Sequence, residues 1–194
     1  MSETIKDGTG TGKLAGVTID NQLKTLASSS GTDVAANNAG NAYNINSGII
    51  NLTDALETSI LYIKNNETLD IFISAIVVGL WNSANGDGLD VVTTFIRNPT
   101  TGDIIDNTNA APIISNRNFG SSNSLSADVY IGASTETKTN GSSHILARVT
   151  EESRSFFSIN EFIPKGASFG VNITPPTGND GMNVYAAVIC HLHS

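Results

Sequence analysis

From Tyr43 onward, short apolar runs alternate with turn signals at the spacing of an antiparallel sandwich or barrel. The pattern predicts strands near Tyr43 to Leu52, Ser59 to Lys64, Leu69 to Trp81, Leu89 to Asn98, Ile104 to Ile105, Ala127 to Ile131, His144 to Thr150, Arg154 to Ile159, Ser168 to Thr174 and Asn183 to Leu192. No stretch after residue 60 sustains an apolar pattern at helical period, while Asn51 to Glu57 has room for a short helical turn. Ile163-Pro-Lys-Gly166 and Thr174-Pro-Pro-Thr-Gly-Asn179 bracket the run at Ser168 to Thr174. In each, proline fixes φ and a glycine can adopt positive φ.

Two of these runs are apolar on both sides. Leu69 to Trp81 is rich in β-branched and aromatic residues, which favours a strand over a buried helix. Regular alternation puts Leu69, Ile71, Ile73, Ala75, Val77 and Trp81 on one face, and Asp70, Phe72, Ser74, Ile76, Val78 and Leu80 on the other. In Asn183 to Leu192, Val184, Ala186, Val188, Cys190 and Leu192 make one apolar face, and Tyr185, Ala187, Ile189, His191 and His193 a half-apolar second one. A two-layer domain offers its core to only one side of each strand, so the other side must meet a loop or another subunit. Phe72, Ile76, Val78, Leu80, Tyr185, Ile189, His191 and His193 are therefore the expected subunit interface.

The first forty residues differ in kind. They are rich in Gly, Thr and Asn, with a short alternating patch at Leu14 to Ile19, and Ser28 to Asn41 reads as a linker of small and polar residues. Such a segment buries too little to offset its own ordering entropy, and it is expected to become ordered against something else. Its anchoring residues would be Ile5, Lys13, Leu14, Val17, Ile19, Leu23 and Leu26. The organisation expected is an extended arm and linker over 1–40 followed by a β-sandwich over 41–194.

Composition narrows the function. In 194 residues, 39% are hydrophobic and only 14% charged, which describes a chain with enough apolar material for a core and a neutral polar surface. The net charge of -8 and the lack of a basic cluster argue against direct nucleic-acid binding. The longest apolar run is too short for a membrane-spanning helix, and no secretory leader is visible. Cys190, the single cysteine, excludes an intrachain disulfide and fits synthesis in a reducing cytoplasm.

Candidate chemistry is sparse. Gly8-Thr-Gly-Thr-Gly-Lys13 lacks the first glycine and the hydroxyl residue of a phosphate loop, since Asp7 and Leu14 stand there. Asn85 to Asp90 alternates oxygen ligands like a calcium loop, but Ile96 replaces the bidentate Glu, and a hairpin is the simpler reading. His191 and His193 share a strand face and are half of a metal site at most, so no metal or cofactor is expected. Gly-x-Ser-x-Gly is absent, Cys190 sits in an apolar face, and the neighbouring Glu151 and Glu152 point to opposite sides of a strand. No catalytic residue is assigned. Four Asn-x-Ser/Thr triplets, at Asn51, Asn66, Asn140 and Asn172, are expected by chance in so Asn-rich a chain. Trp81 and Phe169 fall inside strand patterns and are expected in the core.

Several stretches taken together resemble virion proteins of tailed bacteriophages, in particular jelly-roll decoration or cement proteins of the head. They are Ile5-Lys-Asp-Gly-Thr-Gly-Thr-Gly-Lys13 with Val17 to Leu23, Gly40 to Asn46 with Leu61 to Asn65, and Ile163 to Val171 with Thr174-Pro-Pro176. The resemblance implies a jelly-roll-like antiparallel sandwich and a non-enzymatic homotrimer. It also implies a major capsid protein as partner, the arm contributing attachment, and a location on the capsid's outer surface after synthesis in the host cytoplasm. The alternative it leaves is a head fibre or receptor-binding knob, with loops such as Asn82 to Gly88 or Asn116 to Ser124 contacting host glycans.

Overall fold

A computed structural model of the protein describes residues 5–6, 14–15, 32–53, 55–82, 90–102, 112–133, 135–149, 154–177 and 181–193. The chain divides into two compact units, Met1–Gly31 and Thr32–Ser194. Within the first, β1 (Ile5–Lys6) pairs antiparallel with β2 (Leu14–Ala15), Ile5 opposite Ala15.

The second unit opens with a helix, α1 (Thr32–Asn38), followed by β3 (Ala42–Asn46), β4 (Ile50–Leu52), β5 (Thr58–Asn65), β6 (Asp70–Asn82) and β7 (Val91–Arg97). Then come β8 (Thr101–Gly102), β9 (Ile113–Asn116), β10 (Ala127–Tyr130), β11 (Lys138–Thr139) and β12 (Ser142–Val149). The last three are β13 (Arg154–Ile163), β14 (Ser168–Thr174) and β15 (Met182–His193). They form a five-stranded sheet in the order β10-β5-β14-β7-β12 and a six-stranded sheet containing β13-β6-β15-β3-β9, with β4 also on β15; β8 and β11 pair apart. All the pairings are antiparallel. Consecutive long strands β5, β6 and β7 alternate between the two sheets, as do β12, β13, β14 and β15. Neighbours in a sheet therefore come from distant parts of the chain, which is the jelly-roll-like wiring of an all-β sandwich.

The core fills the space between the sheets with Tyr43, Ile45, Leu61, Ile63, Phe95, Phe169, Val171 and Val188, all essentially inaccessible. Phe95 is its aromatic centre, edge-on to Phe157 at 5.2 Å and stacked on Phe169 at 6.1 Å. Polar links tie the margins together. The Asn65 side chain donates to the carbonyls of Ile163 (2.7 Å) and Leu69 (2.9 Å), and Glu161 on β13 takes Arg97 of β7 and His144 of β12 (2.7 Å) on its two oxygens.

The expected strands are present wherever they lie among the described residues, with shifted ends; Ile104 to Ile105 lies outside those residues. The run Tyr43 to Leu52 is split into β3 and β4 at Gly48, whose φ of 72° an L side chain rarely adopts. Asn51 and Leu52 belong to β4, so the helical turn expected there does not form over them. Gly166 takes φ 78°, as its turn chemistry required. The segment expected to be only linker holds α1. The helix ends in a Schellman arrangement: Asn41 N–H donates to the Ala36 carbonyl (2.8 Å) and Gly40 N–H to that of Asn37 (3.0 Å), with Gly40 at φ 73°. Remaining end carbonyls accept from asparagine amides some eighty residues away, Asn118 on Asn38, Asn123 on Ala39 and Asn116 on Gly40.

Candidate interaction surface

Strand β6 resolves its own ambiguity with a bulge. Against β15 the register runs Ile189↔Ala75 and then Cys190↔Ile73, leaving Ser74 unpaired, and the same place is irregular against β13. One extra residue reverses the side-chain parity. Ile71 and Ile73 point inward before the bulge, and Ile76, Val78 and Leu80 point inward after it, all at most 2% exposed. This corrects the expected interface: Ile76, Val78 and Leu80 belong to the core of their own subunit. The outward set is Phe72, Val77, Gly79 and Trp81. Trp81, expected in the core, is half-buried on this outer face, whereas Phe169 is in the core as expected.

Strand β15 keeps simple alternation. Val184, Ala186, Val188 and Cys190 are buried inward, while Tyr185, Ala187 and Ile189 lie half-buried on the outside. Tyr185 stands opposite Gly79 in the register, and its ring occupies the space over that glycine: a Cβ there would meet the ring at 2.0 Å. Trp81 packs beside it at 6.0 Å. On the edge strand β13, Phe156 is 66% exposed and Phe162 47%. Phe162 leans on Phe72 at 4.8 Å and on His193 at 5.1 Å. Phe72, Val77, Trp81, Phe156, Phe162, Tyr185 and Ile189 thus form an apolar, aromatic stripe across three strands, the kind of surface that associating proteins cover.

Helix α1 lies against β15 and β3. His191, on the outward parity of β15, is 2% exposed, and its Nδ1 lies 2.6 Å from Asp33 Oδ1, although the N–H is not well aimed at that oxygen. Its Nε2 has no hydrogen-bond partner. His193, two residues on, is exposed. Sequence reasoning missed Asp33 because it missed the helix; the signals were an acidic first turn and Gly40 just past the end.

The outer face of the five-stranded sheet is built differently. The segment of residues 132, 133 and 135–139 lies across it, with Gly132 N–H on the Ser59 carbonyl (2.9 Å) and Ser59 N–H on that of Glu136 (2.8 Å). Beneath it, buried Asn172 donates to Glu57 (2.9 Å) and the Lys138 carbonyl (3.2 Å), while its own oxygen accepts from the Ser59 hydroxyl (2.6 Å). At 1% exposure Asn172 leaves no room for a glycan in the folded chain. Nearby, the Tyr62 and Tyr130 rings stack 6.2 Å apart.

The other sequence candidates fall in several places. Of the arm residues, Ile5 and Leu14 sit in the β1–β2 pair, and Lys13, Val17, Ile19, Leu23 and Leu26 lie outside the described residues, as do the glycine run at 8–13, the loop at 83–89, and Glu151 and Glu152. Burial pushes the Cys190 thiol up to about 12, so it stays protonated and is no nucleophile at neutral pH. In the segment Asn116 to Ser124, whose asparagines cap α1, Phe119 is fully exposed. In comparisons with known proteins, no family model matches the chain, and no curated protein or solved structure matches it.

Proposed function

We propose that this protein is a non-enzymatic virion protein that binds the outer surface of a viral capsid as a homotrimer and stabilises it. The observation that carries the reading is the aromatic stripe on the outer face of the six-stranded sheet, an apolar surface that α1 leaves open and that a second copy of the chain would cover. Self-association through that stripe leaves the arm to make the link to the capsid, and three arms on one particle turn weak contacts into durable attachment by raising effective concentration. The sequence resemblance to jelly-roll decoration proteins supports the virion assignment, and the sandwich is compatible with it.

The test is removal of residues 1–31, the smaller compact unit, which leaves α1 and the sandwich core intact. The expected result is a folded trimer by sedimentation that no longer pellets with cognate capsids. Undiminished capsid binding would remove the arm from the proposal, and a full-length chain that is monomeric at all concentrations would remove the trimer.

A further inference from the structure

We propose that Phe119 of one copy docks into the cavity between α1 and β15 of the next copy, so that the homotrimer closes head to tail. This inference rests on the self-association proposed above and supplies its second half. A two-fold axis joins a patch to itself, whereas a ring of three joins two unlike patches of the same chain. The aromatic stripe on β13, β6 and β15 is one of them, and a ring needs a different apolar surface to meet it.

The opposite edge of the same sheet carries such a surface. The sheet runs β13-β6-β15-β3-β9, so β9 is the strand farthest from β13, and Ile113 on it is 63% exposed. Phe119 follows three residues after β9 and is fully exposed. Its loop is held in shape from within: Asn118 N–H donates to the Asn116 side chain (2.9 Å), Gly120 N–H to that of Asn118 (3.1 Å), and Ser121 N–H to the Asn118 carbonyl (3.0 Å). The amides of Asn118 and Asn123 also fasten the loop to the end of α1. A ring presented on an ordered loop forfeits little entropy when a partner covers it, and aromatic side chains are enriched at the centres of interfaces.

The receiving surface lies where the stripe ends. A cavity of about 290 Å³ opens between α1 and the sheet, walled by Ala35, Ala36, Leu69, His191, Leu192 and His193. That is room for one phenyl ring, since a cavity of ~150 Å³ can hold benzene. Its imidazoles continue the aromatic cluster of the stripe, His191 lying 5.0 Å from Phe72 and His193 5.1 Å from Phe162. A ring seated there extends the cluster by one more aromatic contact. Neither ring nitrogen of buried His191 has a hydrogen-bond partner, and the face of a phenyl ring accepts an N–H that has no better acceptor.

Sedimentation of the full chain tests the contact. Phe119→Asp alters a fully exposed side chain and should fold as the wild type does, which circular dichroism will check, while the concentration needed for trimers rises about 30-fold or more. Phe119→Cys combined with Leu69→Cys should give covalent dimers and trimers on a non-reducing gel after oxidation, and neither single variant should. Cys190 is buried and stays out of the exchange. Trimers undiminished in Phe119→Asp, only monomers from the double variant, or equal cross-linking by a single variant would overturn the insertion and leave the trimer standing. A wild-type chain that is monomeric at all concentrations would overturn both.

Discussion

The outer faces of the two sheets were finished by opposite means. Over the five-stranded sheet the chain lays its own segment, residues 132, 133 and 135–139, and fills the contact with a polar network centred on buried Asn172. Over the six-stranded sheet, α1 covers only the end near His191 and leaves Phe72, Trp81, Phe156 and Phe162 in a stripe of partly exposed rings. A polar contact of that kind needs each buried donor and acceptor paired, and the chain pairs them internally. Among the described residues the aromatic face has no such internal partner, and covering it releases water from apolar surface. One side of this sandwich is closed by polar contacts within the chain, and the other carries partly exposed aromatic rings.

Breaking the finished side should cost the most. Asn172→Ala removes the acceptor of the Ser59 hydroxyl and the donors to Glu57 and the Lys138 carbonyl, and an expected loss of ~2–3 kcal/mol should appear in denaturant unfolding, with the assembly state unchanged. A milder variant that left stability intact would mean the covering segment is not held by that network. Next comes β15, whose two sides belong to the two regimes. Inward Cys190 has its thiol raised from 9.0 to about 12 by burial. A folded-state value above the unfolded one contributes stability that is complete below pH 9 and declines as pH climbs toward 12. At pH 10 the decline should be on the order of 1 kcal/mol, and Cys190→Ala should remove that slope. Identical pH profiles for the two proteins would contradict the inward assignment. The smallest effect on folding should come from the open side: Phe156→Asp should shift unfolding by no more than ~0.5 kcal/mol while turning the assembly into monomers by sedimentation. If it instead unfolds the chain with its assembly intact, the stripe is structural.

Much of the architecture was legible because strand signals are local. Alternation, β-branched residues and the turn at Pro164 to Gly166 located nearly every long strand, and β15 kept the parity read for it. The parity of β6 was not legible past Ser74. A bulge is decided by how a strand sits between two neighbours, and here β13 and β15 come from the far end of the chain. Ile76, Val78 and Leu80 were therefore assigned to the wrong side, and Trp81 to the core. Helix α1 was lost for a related reason. Seven residues with no buried side chain have almost no periodic signal, and the asparagines that hold its end follow some eighty positions later.

Sequence alone determined that the chain is a β-sandwich with a compositionally distinct leading segment, that its charge disfavours nucleic acid, and that more apolar strand surface exists than one core can use. Those properties follow from composition and from repeats a few residues long. Tertiary structure decided which residues carry the surplus, that a helix closes over His191 with Asp33, and that Asp70 stands opposite His193. The first and last depend on register between strands more than a hundred residues apart, where a one-residue slip exchanges the inside of a sheet for its outside, and the helix contact joins Asp33 to a strand more than a hundred and fifty positions later.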